Sequence, residues 1–355
     1  MYHLQPAAIL SFRARQTTLK LAEKVSHPKR FFRLSSIDRR LPRISPLLST
    51  PKPVNHHPNF NINFRTMSSN PACCPPGSWP QLLTTTNADL NKEDISPSKG
   101  KLVQTPVDGQ DDDLTMYVVE PSGDVKGCVL VLPDIYSVRV LTPQVRSGDR
   151  IGSICDALAD QGYLVGLAGV FGEKPYDVAI KGPDDGDFVK FDSFAQDGGV
   201  DWFKSNGYDV MGPRVKAAAA YLKAKAPSQK LGALGFCFGT WLSCKTSSTG
   251  DVDFDVAVGC HPTTILEKAV FGGDEEAMMD SLKQPTVMLW AGNDSPDYTG
   301  DGANKIAIEK SGGKVVEYND MLHGWVSRGD VADESVKAGV ESALGHIKEA
   351  FESHL

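Results

Sequence analysis

Short apolar runs alternate with longer segments of helical period over the part of the chain that follows residue 85. This alternation is typical of a mainly parallel central β-sheet flanked by helices on both faces, and it predicts one α/β domain over residues 85–355. The predicted strands are Leu114–Val119, Cys128–Leu132, Tyr163–Leu167, Leu231–Gly235, Phe254–Gly259, Thr286–Ala291 and Lys314–Tyr318.

Helical period is clearest where apolar residues recur three or four positions apart, in residues 151–158 and 336–351. Further helices are predicted over Pro213–Ala226, Phe238–Ser248 and Gly302–Ser311. The acidic and aromatic connection 169–207 is long for a compact domain. Two interpretations of it stay open, a lid on the substrate side and a solvated insertion that contains an unplaced helix.

The net charge of -7 is the sum of two unlike parts. Residues 1–66 carry 12 Lys and Arg against 2 acidic residues, a net +10, whereas residues 67–355 carry 25 against 42, a net -17. A basic, Ser-containing and acid-poor segment predicts a disordered transit peptide for a chloroplast or mitochondrion. The alternatives are a disordered tail on a cytoplasmic protein and a shorter product that starts at Met67. Residues 67–84 form a Pro-rich lead-in.

Several classes of protein are disfavoured by composition. The acidic main part lacks a long Lys/Arg run and is therefore not expected to bind nucleic acid. A stretch of 18 apolar residues is absent from the sequence, so no membrane-spanning helix is expected. The sequence also lacks the residue spacings of metal sites and of phosphate-binding loops, so neither a metal nor a cofactor is expected. The expected partner is a small-molecule ester or lactone substrate. The protein is expected to be a monomer or a weak homodimer. The odd number of cysteines indicates reduced thiols; they are Cys73, Cys74, Cys128, Cys155, Cys237, Cys244 and Cys260.

One motif joins a predicted strand to a predicted helix, Gly235-Phe236-Cys237-Phe238-Gly239. A sharp strand-to-helix turn strains its central residue, and small flanking residues let strand and helix approach each other. The thiol then stands at a helix N-terminus, which favours the thiolate and offers N–H groups to an oxyanion. The alternative is a buried structural cysteine between two incidental glycines.

The residues that follow the motif supply an acid and then a histidine at the ends of later strands, the order found in hydrolases with this turn. Asp294 follows one predicted strand, and His323 follows the next. His261, at the end of an earlier strand, competes for the role of base, and Asp297 and Asp301 compete with Asp294.

Four segments resemble the signature segments of the dienelactone hydrolase family: residues 129–136, 235–239, 291–294 and 323–328. The resemblance covers roughly residues 85–352. It implies an α/β-hydrolase fold with a cysteine in place of the usual serine. It further implies Cys237 as the nucleophile, His323 as the base and Asp294 as the residue that orients the base.

The same resemblance implies roles for four more positions. The backbone N–H groups of Ile135 and Phe238 would form the oxyanion hole, and Asp134 would take part in activating the thiol. Arg328 would hold a substrate carboxylate, and Tyr136 would contact the substrate.

These inferences predict hydrolysis of a small ester or lactone through a thioester acyl-enzyme. The alternative from another class is a hydrolase-like protein without turnover, in which Cys237 senses oxidants or binds a ligand.

Overall fold

Eight strands form one sheet in the computed structural model, which describes residues 99–135, 150–172 and 198–355. Their spatial order is β1-β2-β4-β3-β5-β6-β7-β8. β2 is antiparallel to both of its neighbours, and every other described pair is parallel. The strands are β1 (Lys101–Thr105), β2 (Leu114–Val119), β3 (Gly127–Leu132), β4 (Tyr163–Ala168), β5 (Leu231–Phe236), β6 (Val256–Cys260), β7 (Thr286–Ala291) and β8 (Lys314–Tyr318).

The sheet confirms the predicted α/β class and all seven predicted strands, with ends shifted by at most two residues. β1 was not predicted, because it is an edge strand whose side chains are mostly exposed and which therefore lacks an apolar run.

Nine helices of four or more residues are found in the described part of the chain. They are α1 (Arg150–Asp160), α2 (Gly199–Ser205), α3 (Tyr208–Lys225), α4 (Phe238–Thr249), α5 (Leu266–Ala269), α6 (Glu275–Asp280), α7 (Ala303–Lys310), α8 (Trp325–Arg328) and α9 (Glu334–His354). All five predicted helices are present. The prediction that α3 begins at Pro213 is wrong, since this helix begins at Tyr208 and contains the proline. The four unpredicted helices are too short to show a full apolar period.

Helices cover both faces of the sheet, as the sequence predicts. Along β3, Cys128, Leu130 and Leu132 belong to one apolar cluster, which also holds residues of α3 and α4. Val129 and Val131 belong to a second cluster, which holds residues of α1 and α9. Successive side chains of a strand point to opposite faces, so each face has its own core.

The carboxyl ends of β3, β5, β6, β7 and β8 meet at one edge of the sheet, because these strands run parallel. The residues that follow these ends form the candidate site, as is usual in parallel α/β sheets.

Some predictions lie outside the described residues: the transit peptide, the lead-in, Tyr136 and most of segment 169–207. Where that segment is described, α2 supplies the helix that the sequence left unplaced. Within the described ranges, no helix has the length and hydropathy needed to cross a membrane.

Candidate active site

Cys237 occupies a strained turn between β5 and α4. Its φ and ψ angles are 50° and -113°, a positive φ that is uncommon for a residue other than glycine. Its backbone N–H donates to the carbonyl of Cys260 over 3.0 Å, which ties the turn to the end of β6. The side chain is fully buried at the start of α4, where the first N–H groups of a helix lack partners within the helix.

Two glycines allow this turn to form. A Cβ atom on Gly235 would lie 2.6 Å from the backbone nitrogen of Thr240, and one on Gly239 would lie 2.0 Å from the carbonyl oxygen of Leu132. No side chain fits at either position. The turn is therefore pressed against the end of β3, which brings the buried residues Asp134 and Ile135 close to it.

Asp294 and His323 are paired in the interior. His323 Nδ1 lies 2.6 Å from Asp294 Oδ1, and neither side chain is exposed. The backbone N–H of Ala291 donates to Asp294 Oδ2 over 2.8 Å, and that of His323 donates to Asn293 Oδ1 over 2.6 Å. The loop that follows β7 is thereby fixed to the loop that follows β8.

The charge on His323 is set by its neighbours. Burial by itself lowers the pKa of the imidazole, but the Asp294 carboxylate and the Cys237 sulfur outweigh burial, so the pKa lies well above 6.5. The ring contacts the Asp294 carboxylate directly and interacts electrostatically with the Cys237 sulfur. A positively charged imidazole thus stands beside the thiol.

His261 is a second histidine beside the same sulfur. It follows β6, is fully buried, and has a φ of 40°; with Cys237 it is one of two non-glycine residues of positive φ in the described ranges. Its ring centroid lies 4.9 Å from that of His323. Burial lowers the pKa of His261, and although the interaction with Cys237 opposes this effect, His323 and Arg328 add to it. His261 is therefore neutral.

Asp134 and Arg328 form a buried ion pair with each other. The Asp134 carboxylate also accepts a hydrogen bond from Ser327 Oγ over 2.8 Å. Arg150 donates to the carbonyls of Trp325 and Gly329 over 3.2 and 2.7 Å and so holds α8, the short helix that carries Ser327 and Arg328.

Of the remaining predicted residues, two lie beside the Cys237 turn and the two competing acids do not. Ile135 and Phe238 are fully buried beside the turn, and Phe238 is the first residue of α4. The competing acids are placed elsewhere: Asp297 Oδ2 lies 3.7 Å from Lys268 Nζ, and Asp301 is exposed to solvent.

The sequence matches a known family over most of the described domain. The profile of the dienelactone hydrolase family matches residues 114–355. The chain belongs to the dienelactone hydrolase family. By its name, this is a family of hydrolases.

Relatives of this dienelactone hydrolase family member are distant. It is 27% identical to the carboxymethylenebutenolidase homolog of Rattus norvegicus over 182 residues, which are 50% of this chain and 60% of the rat protein. It is 24% identical to hydrolase tropI of Talaromyces stipitatus over 248 residues, 68% of this chain and 88% of that protein. The match to the rat protein thus spans less than two thirds of its length.

A solved structure, the Pyrococcus horikoshii acylaminoacyl peptidase, superposes with a TM-score of 0.50 at 11% identity. The match covers 76% of this chain and 43% of the peptidase, and it shows a shared α/β-hydrolase fold.

Two hydroxyl residues of the site were missed by sequence reasoning. Thr263 Oγ1 donates to Cys237 Sγ over 3.3 Å, and Ser327 links Asp134 to the site as described above. Thr263 follows His261 by two residues, so its place after a strand end was the one available signal. In this family member the sulfur therefore accepts a hydrogen bond from a threonine and interacts electrostatically with two histidines.

Proposed function

We propose that this hydrolase cleaves small esters or lactones, with Cys237 as nucleophile, His323 as acid and base, and Asp294 as the residue that orients His323. The observation that carries the proposal is the buried 2.6 Å contact between Asp294 and His323, whose ring in turn interacts electrostatically with the sulfur of the strained turn. This is the nucleophile, base and orienter arrangement of acyl-transfer enzymes.

The reactive form of Cys237 is the thiolate. The attraction between a thiolate and the His323 imidazolium acts on both partners, so the same interaction that raises the pKa of His323 favours the ionised sulfur. The hydroxyl of Thr263 donates to the sulfur over 3.3 Å, and the positive end of α4 lies beneath it. All three groups stabilise negative charge at the sulfur.

Attack of the thiolate on the substrate carbonyl places negative charge on the carbonyl oxygen. The backbone N–H groups of Ile135 and Phe238 are proposed to receive it. In support, Phe238 begins α4, and Ile135 is buried where the turn presses against the end of β3. One such donor contributes about 2.7–4 kcal/mol to the rate of acyl transfer.

His323 completes both halves of the reaction. It gives its Nε2 proton to the leaving oxygen as the acyl-thioester forms, and it then takes a proton from the water that attacks the thioester. Asp294 keeps Nδ1 protonated and Nε2 directed at the reacting atoms. An amide substrate is disfavoured, because the thiolate leaves the tetrahedral intermediate more readily than an amine does.

A substrate that bears a carboxylate has a defined place in this proposal. Arg328 is the cation that would bind it, and its present partner is Asp134. A bound substrate carboxylate would therefore exchange with Asp134, which would leave the carboxylate of Asp134 without its strongest counter-charge. Tyr136 is proposed as a further substrate contact.

The test is a panel of small esters and lactones incubated with the full-length protein, with Cys237→Ala as the inactive variant and Cys244→Ala as its matched control. Burial raises the pKa of Cys244 to about 12, so this thiol has no part in the reaction. Mass spectrometry after a brief substrate pulse is expected to show an acyl adduct on Cys237 that clears with time. Full activity of Cys237→Ala would contradict the proposal, and oxidation of Cys237 without any acyl turnover would favour a thiol sensor instead.

A further inference from the structure

Four buried polar side chains form a network that the reaction just described does not use. They are Thr264 of the loop after β6, Glu275 of α6, Tyr298 of a short 3-10 turn, and Asn304 of α7. Each of them is at most 3% exposed. Burial of such groups is costly unless they find partners, and a buried network whose members are paired fixes one geometry of the segments that it joins.

The hydrogen bonds of this network have defined directions. A carboxylate only accepts, so Thr264 donates its one hydroxyl proton to Glu275 Oε1 over 2.7 Å. The Thr264 oxygen then accepts from the hydroxyl of Tyr298. Asn304 Nδ2 donates to Glu275 Oε1 over 2.9 Å, and Lys268 Nζ lies 3.0 Å from Glu275 Oε2. Thr264 is therefore held both by Glu275 and by Tyr298.

The network borders two loops of the candidate site. Thr264 directly follows Thr263, whose hydroxyl donates to Cys237 Sγ over 3.3 Å. Tyr298 lies four residues beyond Asp294, in the connection that follows β7. The hydrogen bond between Tyr298 and Thr264 thus ties the loop after β6 to the loop after β7.

We propose that Glu275 is a positioning residue of the active site, which acts through Thr264 to aim the hydroxyl of Thr263 at the sulfur. The proposal rests on the assignment of Cys237 as nucleophile. Tyr298 supports the same alignment, because its hydroxyl is the second anchor of Thr264.

Alignment matters because the contact between Thr263 and the sulfur depends on one rotamer and one position of the loop. A threonine side chain has three staggered rotamers, and a misplacement of about 1 Å near reacting groups can cost about 100-fold in rate. Apolar side chains of similar volume commonly replace a buried ion pair without loss of stability. The buried carboxylate of Glu275 is therefore better explained by the geometry that it imposes than by the stability that it contributes.

The test uses p-nitrophenyl acetate and the full-length protein in a stopped-flow burst experiment at several pH values. The nitrophenolate leaves without a proton, so the acylation rate reports on the thiolate of Cys237. Tyr298→Phe removes one anchor of Thr264, and Glu275→Met removes the other. Each variant is expected to slow acylation at neutral pH by at least about 3-fold. Each should also move the rise of the acylation rate to higher pH, because a thiolate without the hydrogen bond from Thr263 is less stable.

Two control variants accompany this test. Glu275→Gln keeps an oxygen that accepts from Thr264 and is expected to retain most of the rate. If it is as slow as Glu275→Met, the carboxylate acts through its charge and the positioning role is wrong. Tyr208→Phe also loses a hydroxyl with two partners, Thr249 and Asp251, but at the far end of α4, and it is expected to behave as wild type.

Double variants decide whether the network acts through Thr263. In a Thr263→Val protein the hydroxyl is gone, so Tyr298→Phe and Glu275→Met are expected to slow acylation no further. A purely structural effect would slow acylation by the same factor with or without that hydroxyl, and this result would overturn the proposal. Unchanged acylation in both single variants would overturn it as well. If Glu275→Met does not fold, Tyr298→Phe and its double variant decide alone.

The failure of the positioning role and the failure of the proposed function are distinguishable. A burst that needs Cys237 but is indifferent to Glu275 and Tyr298 overturns the positioning role alone. The absence of a burst in the wild-type protein, or its survival in Cys237→Ala, overturns the nucleophile assignment and the positioning role with it.

Discussion

Asp294 Oδ1 and His323 Nδ1 lie 2.6 Å apart, and both side chains are closed off from solvent. In an interior of low dielectric constant, this contact is stronger than it would be at the surface, and the loss of one partner leaves the other buried without compensation. The pair therefore fixes the orientation of the ring and also its charge.

Replacement of Asp294 by asparagine is expected to lower kcat for ester hydrolysis by about 10⁴-fold, because the amide can hold the ring in the wrong tautomer and removes the charge that raises its pKa. Steady-state kinetics on the best substrate of the ester panel measures this loss. The matched control is Asp320→Asn, an exposed residue of the loop that carries His323. An active Asp294→Asn enzyme would exclude the proposed role of Asp294.

The raised pKa of His323 links stability to pH. Below the unfolded-state pKa of about 6.5, both the folded and the unfolded chain are protonated at this residue and its contribution to stability is complete. As the pH rises through the folded-state pKa, the folded protein loses the imidazolium and that contribution with it. Urea unfolding of the wild type should therefore show a free energy of unfolding that falls as the pH rises above about 6.5 and through the raised pKa of His323, and His323→Gln should show a smaller fall. Equal slopes in the two proteins would contradict the raised pKa.

The sequence predicted those parts of the site that follow from chain order. Cys237, Asp294 and His323 each follow a strand that has an apolar run, so their meeting at one sheet edge could be deduced. The ion pair between Asp134 and Arg328 joins residues 194 positions apart and has no local signal.

Hydroxyl side chains were equally hard to place from sequence. Thr263 and Ser327 resemble any other serine or threonine until the fold shows which atoms they face. The edge strand β1 and the start of α3 were missed for a related reason, since neither depends on a buried periodic face.

Cys237 is expected to be the fastest of the described thiols to react with iodoacetamide. Burial raises the pKa of Cys244 to about 12 and raises the pKa of Cys128 and Cys260, so few of these thiols are ionised at neutral pH. Peptide mass spectrometry over a time course measures each site, and Cys237→Ser serves as the control. Faster labelling of Cys128, Cys244 or Cys260 than of Cys237 would contradict the proposed thiolate.

Thr263 is expected to stabilise the thiolate through its hydroxyl. A hydrogen bond to a charged group contributes about 1.5–3 kcal/mol, so Thr263→Val should slow acylation by roughly 10-fold to 100-fold. Thr263→Ser keeps the hydroxyl and is expected to retain most of the rate. If the serine variant is as slow as the valine variant, the methyl group and its packing, rather than the hydrogen bond, are what the site needs.

Gly239 and Gly345 offer the same substitution with opposite expected results. A Cβ on Gly239 would meet the Leu132 carbonyl oxygen at 2.0 Å, so Gly239→Ala must push the turn away from β3 and is expected to abolish activity and lower the melting temperature. Gly345 lies inside α9 with open space around its Cα, and alanine there should stabilise the protein by about 0.5–1 kcal/mol. Thermal unfolding and burst kinetics of both variants test the pair. An active and stable Gly239→Ala protein would show that the turn does not need to press against β3, and the place proposed for Ile135 in the oxyanion hole would then lose its structural support.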